Sequence, residues 1–144
     1  VPITDEVRDE FFGRPWVAVL SVAADDGRPP LTVPVFYGYE NGLITFFTGT
    51  QGRKARKTKL IKRAGQVSVC VQRAEMPYRT ITAECTVVAA DRAPAVEQVL
   101  GVIGRYVPEA DARGFAEAET AAPSGTFVLF TARPDRWLSM GFDD

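Results

Sequence analysis

Histidine is absent from this chain of 144 residues. Without it there is no Ser-His-Asp or Cys-His catalysis, no histidine-ligated metal and no c-type haem attachment. Cysteine is scarce. Cys70 and Cys85 cannot complete a four-ligand zinc site and do not form a C-x-x-C pair. Both are expected to be small core hydrophobes in a reducing, cytoplasmic setting. No apolar run approaches the 18 residues of a membrane-spanning helix. The opening VPITDEVRDE has neither the basic n-region nor the apolar h-region of a secretory signal. A glycine-rich phosphate signature is also missing, because GTQGRKARK lacks the spacing G-x-x-x-x-G-K-[ST].

The residues present are those of an ordinary globular domain. Apolar residues make up 46%, charged residues 24% and aromatics 10%, which excludes a disordered or collagen-like chain. One domain over 1–144 is expected, large enough to bury roughly 68–70% of its unfolded surface.

Net charge is −1, but its distribution is uneven. The segment RKARKTKLIKR, from Arg53 to Arg63, carries seven basic residues and no acid. Of 17 basic residues that leaves ten elsewhere against 18 acidic ones, a net of −8. Every lysine of the chain (Lys54, Lys57, Lys59 and Lys62) lies in this segment. An acidic body with one basic segment suggests a local anion site. A nucleic-acid surface is disfavoured, because no aromatic lies between 48 and 63 to stack a base.

Patterning predicts a mainly β chain with helical insertions. Thr4 caps a short helix running to about Gly13, with Asp5 and Glu6 at its positive end. Strands are expected at 17–23, 31–39, 43–48, 67–72, 79–90 and 126–132, with a short extended piece through Trp137. Asn41-Gly42 is a hairpin signal. The basic segment reads as a helix with Leu60, Ile61 and Ala64 along one stripe. A second helix is expected from Pro94 to Val107 and a weaker one from Glu109 to Glu119. Most links are too short for parallel crossovers, so a six-stranded antiparallel Greek-key barrel is expected. Pro34, inside the second strand, marks an edge or a bulge.

The start of the basic helix is electrostatically frustrated. A helix N-terminus has unpaired N–H groups and a positive dipole end, so acidic residues belong there. Here Arg53 and Lys54 occupy the first turn, preceded by the Thr48 and Thr50 hydroxyls. A phosphate would neutralise this arrangement. A solvated basic face that begins early is the alternative.

The ordered set of strand, Asn-Gly turn, LITFFT, GRKARK, helix and VSVCV resembles the pyridoxamine 5′-phosphate oxidase-like split barrels, which bind FMN or the deazaflavin coenzyme F-420. The resemblance spans about residues 17–90. It implies a split barrel that forms a homodimer with cofactor at the interface. It also implies that Phe47-Thr48 and Gly52-Arg53-Lys54 stand where the family grips the cofactor phosphate, with Gly52 replacing the usual Ser. Arg56 and Lys57 match further basic positions of the deazaflavin branch. The Thr32-Val33-Pro34 backbone would line the isoalloxazine ring. The Met76-Pro77-Tyr78 loop and Trp137 would close the site, from the same or the partner subunit, although both aromatics also suit plain packing. The chain lacks the His of the family's C-terminal substrate motif and ends RWLSMGFDD, so vitamin B6 oxidation is not carried over.

Seven cations exceed what one FMN phosphate requires, and flexible lysines suit the oligoglutamate tail of F-420. The expectation is an oxidoreductase using F-420, or FMN, on a small organic substrate. A flavin-binding carrier without catalysis is the other class. No side chain stands out as an acid or base. Glu84 is expected at the surface, and Tyr78 could protonate a substrate.

Overall fold

A computed structural model describes residues 3–49 and 56–141. Thr4 caps helix α1 (Asp5–Phe12), its hydroxyl accepting from the Val7 N–H at 3.2 Å. Strands β1 (Ala18–Val22), β2 (Leu31–Val35), β3 (Tyr37–Glu40) and β4 (Leu43–Gly49) follow. Asn41 and Gly42 both take positive φ, 54° and 75°, as a two-residue hairpin turn requires. Helix α2 (Arg56–Ala64) leads to β5 (Gln66–Arg73) and β6 (Arg79–Asp91). Helices α3 (Val96–Ile103) and α4 (Glu109–Thr120) precede β7 (Phe127–Gly141).

All seven strands join one antiparallel sheet in the order β2-β1-β5-β6-β7-β4-β3. Its two edges, β2 and β3, are consecutive in the chain and separated only by Phe36. The expected second strand is therefore broken into two. The sheet curls so that one chain segment supplies both edges, and it remains open there. Pro34 sits on the edge strand β2, opposite Val19 of β1, where its missing N–H costs no ladder bond on the open side.

The inward faces fill the barrel. Leu20, Ile44, Val69, Val71 and Ile81 are fully buried, and Phe46 stacks on Phe130 with centroids 5.6 Å apart. Phe12 of α1 packs against Tyr37, Tyr39 and Trp137. Leu60 and Ile61 of α2 belong to this core. A satellite core of Val99, Ile103, Ala112, Ala116 and Phe127 joins α3 and α4 to the barrel.

Three sequence readings change. The last strand and the short extended piece expected after it, through Trp137, form one continuous strand that runs on to Gly141, paired with β6 and bulged at Glu84/Cys85. The helix expected from Pro94 to Val107 is shorter, Val96–Ile103, whereas α4 forms where it was expected, at Glu109–Thr120. Cys85 is a core residue, but Cys70 alternates to the outer face of β5 and is only half-buried.

Candidate functional site

The open edge creates a cleft of about 340 Å³ lined by Val17, Pro34, Val35, Phe36, Phe47 and Lys57. Three elements meet there. Strand β2 and its break bring Pro34, Val35 and Phe36. Outward alternation on β4 brings Phe47, between the buried Phe46 and Thr48. The first turn of α2 brings Lys57. One hydrogen bond fixes α2 to β4: the buried Thr48 Oγ1 lies 2.6 Å from Thr58 Oγ1.

Five of the cleft residues are apolar and one carries a charge. Lys57 is half-buried, and among the described residues it forms no ion pair. Loss of water pushes its pKa below the ordinary lysine value. An anion beside it would reverse that shift. The neighbouring arginines differ. Arg56 lies 3.9 Å from Asp26 and Arg63 lies 3.6 Å from Asp25, both acids belonging to the β1–β2 turn. The Arg56 Nη2 atom is buried and has no hydrogen bond.

The structure thus brings Pro34, Phe47 and Lys57 together. Thr48 turns inward to Thr58. Thr32 is exposed on β2, and Val33 packs toward the main core. Arg53 and Lys54, with Thr50 and Gly52, lie outside the described residues. Among the described residues, neither Tyr78 nor Trp137 lines this cleft. Tyr78 is half-buried just before β6. Trp137 packs edge-on against Phe12 with centroids 5.1 Å apart, and the Arg8 guanidinium lies 4.4 Å from its ring centre. Glu84 is exposed, 3.9 Å from Arg136.

Sequence reasoning missed Val17, Val35 and Phe36. The available signal was LTVPVFYGY itself, too long for one edge strand carrying a proline, with a break at an aromatic. A second cavity of about 560 Å³ lies between α3 and the β3–β4 hairpin, with Glu40, Glu97 and Arg105 among its lining residues.

No family model and no curated protein matches this chain. Solved structures do. An F-420 reductase is 21% identical, with a TM-score of 0.69 over 96% of this chain and 98% of its own. A conserved hypothetical protein from Mycobacterium tuberculosis is 15% identical, with a TM-score of 0.74 over 98% of this chain and 86% of its own. This chain has the split-barrel fold. A putative pyridoxamine 5′-phosphate oxidase from Listeria innocua shares the split barrel at 12% identity, with a TM-score of 0.63 over 94% of this chain and 96% of its own. At such identities the likeness carries the fold, and the cleft residues must carry the argument about ligands.

Proposed function

We propose that this split barrel is an oxidoreductase that binds a flavin-type cofactor in the Pro34–Phe47–Lys57 cleft, the deazaflavin F-420 in preference to FMN. The observation that carries the reading is the pairing of apolar walls with one desolvated cation that meets no counter-charge among the described residues. A flavin-type ring needs flat apolar surface, and Pro34, Phe36 and Phe47 offer it. Its phosphate needs positive charge, and Lys57 offers that, with Arg53 and Lys54 preceding it in the sequence. The residues present therefore fit the group. When bound, such a cofactor supplies hydride transfer to or from a small organic substrate. The chain's own residues would bind, orient and exclude water. The solved F-420 reductase with this fold supports the preference for F-420, as does the concentration of all four lysines in the one sequence segment that contains Lys57.

The protein is further proposed to work as a homodimer. Across the outer face of the sheet, Pro34, Val19, Cys70, Thr82 and Leu138 stand opposite one another from strand to strand. Val19 is 41% exposed and Leu138 44%, with Val17 and Met140 also open to solvent. That face borders the cleft, so a second copy laid on it would help close the site, with Tyr78 proposed to take part. Trp137, opposite the buried Ala83 and packed on Phe12, lies on the inner face and is not proposed to do so.

A carrier role has one observation in its favour: Lys57 is the single titratable residue among the described lining residues. The test is titration of the apo-protein with FMN and, in parallel, F-420, followed by fluorescence. Tight F-420 binding with turnover of candidate acceptors is expected. Binding without turnover would favour the carrier, and binding of FMN alone would reverse the cofactor preference. Light scattering at micromolar concentration should report a dimer. A monomer with cofactor still tightly bound would refute the shared site.

A further inference from the structure

The cleft lies at the opening of the barrel, and two side chains from beyond α3 bridge that opening. The Tyr106 hydroxyl donates to the Trp16 carbonyl at 2.8 Å and accepts from the Tyr37 N–H at 3.2 Å. The Arg105 guanidinium donates to the Gly13 carbonyl at 2.6 Å and to the Tyr37 carbonyl. Tyr37 begins the edge strand β3. Its N–H and C=O thus find, on the open side, the partners a neighbouring strand would otherwise supply. Gly13 and Trp16 belong to the segment that enters β1. One pair of residues therefore ties the β1 side of the opening to the β3 side.

The tie is in register with the cleft. Val17 follows Trp16, and Phe36 precedes Tyr37. Both line the cleft. The Tyr106 ring also stacks on Phe36, with centroids 4.3 Å apart and planes 22° apart. A shift of Tyr106 would move a cleft wall directly through Phe36 and indirectly through both flanking backbones.

We infer that Tyr106, braced by Arg105, is a positioning residue that sets the placement of Phe36 and the width of the cleft. Tyr106 does not line the cleft and would act through Phe36. The ligand arm of the test rests on the flavin reading, whereas the structural arm does not.

The test compares the full-length protein with Tyr106→Phe, which keeps the ring on Phe36 but removes the hydroxyl bridge. Phe36→Leu, which removes the ring partner, is the second variant. Three readouts are taken: amide hydrogen exchange at Tyr37, the ring resonances of Phe36, and affinity for FMN and F-420. In Tyr106→Phe, exchange at Tyr37 should rise, the Phe36 resonances should shift, and affinity should fall about tenfold, as expected for loss of a hydrogen-bonded constraint. The melting temperature should fall by only a few degrees. Phe36→Leu should weaken binding by a similar factor without raising exchange at Tyr37.

Unchanged exchange and unchanged Phe36 resonances would overturn the bridge. Raised exchange with wild-type affinity would overturn the positioning role and leave a purely structural tie. Wild-type protein that binds neither flavin would overturn the flavin reading. The exchange and resonance measurements would still decide whether Tyr106 holds the wall.

Discussion

The two flanks of helix α2 resolve the same basic sequence differently. On one flank Arg56 and Arg63 face Asp26 and Asp25, acids of the β1–β2 turn. Each arginine thus has an acid nearby, although the Arg56 contact is long, at 3.9 Å, and its buried Nη2 makes no hydrogen bond. On the other flank Lys57 enters an apolar cleft, pays desolvation, and meets no counter-charge among the described residues. The count of seven cations therefore overstates the charge available to a ligand. What distinguishes a binding cation from a solvated one here is the absence of a local partner together with burial.

The strongest way to break the comparison is to loosen the helix that separates the flanks. Ile61 is fully buried beneath it. Ile61→Ala should cost about 2–5 kcal/mol of stability in denaturant unfolding. A cost under 1 kcal/mol would mean that α2 is not anchored through this residue.

A sharper cut removes the cations proposed to hold phosphate. Arg53→Ala with Lys54→Ala should weaken cofactor binding by about 1.5–3 kcal/mol for each charge-assisted bond lost. Apo stability should hold or rise slightly. Unchanged affinity in titration would sink the phosphate assignment.

Lys57→Met isolates the cleft flank. Affinity should fall about tenfold, while the apo-protein melts about 2–4 °C higher because a desolvated charge is gone. The sign of the pH dependence follows from the lowered pKa. Between the folded and unfolded values the unfolded chain binds more protons, so stability rises with pH there. The cost of Lys57 is full below its folded pKa and shrinks toward the ordinary lysine range. The gap in melting temperature between Lys57→Met and wild type should therefore narrow in alkaline buffer. A constant gap would assign it to packing instead.

The smallest effect belongs to the other flank. Asp25→Asn and Asp26→Asn break part-exposed ion pairs and should change stability by at most about 1 kcal/mol. Cofactor affinity should hold or improve as Arg56 and Arg63 are released. A tenfold loss of affinity would erase the distinction between the flanks.

Much of the fold was legible because its signals are local. The Thr4 cap, the Asn41-Gly42 turn and the alternation in VSVCVQ and RTITAEC each act within a few residues. The break at Phe36 was only hinted at by the length and proline of LTVPVFYGY, because the side chains that satisfy the Tyr37 backbone beside it, Arg105 and Tyr106, lie 68 and 69 residues away. That the extended piece expected through Trp137 would join β7 as one strand and run on to Gly141 was hidden for a similar reason. ARPDRWLSMG contains a proline and two arginines and becomes a strand by pairing with β6 and tolerating a bulge. At the site, the residue types in LTVP, FFT and RKARK marked the cleft's position. They could not show that Thr48 would turn to Thr58, or that Asp25 and Asp26 would occupy two of the arginines. Those outcomes belong to side-chain geometry set by tertiary packing.

The most direct measurement is a crystal structure of the protein grown with F-420, with FMN as the parallel case. The account predicts the ring against Pro34, Phe36 and Phe47, with a phosphate oxygen within ion-pair reach of Lys57. Cofactor in the cavity beside Glu40 and Arg105, or an empty cleft under conditions where binding is measured in solution, would contradict it.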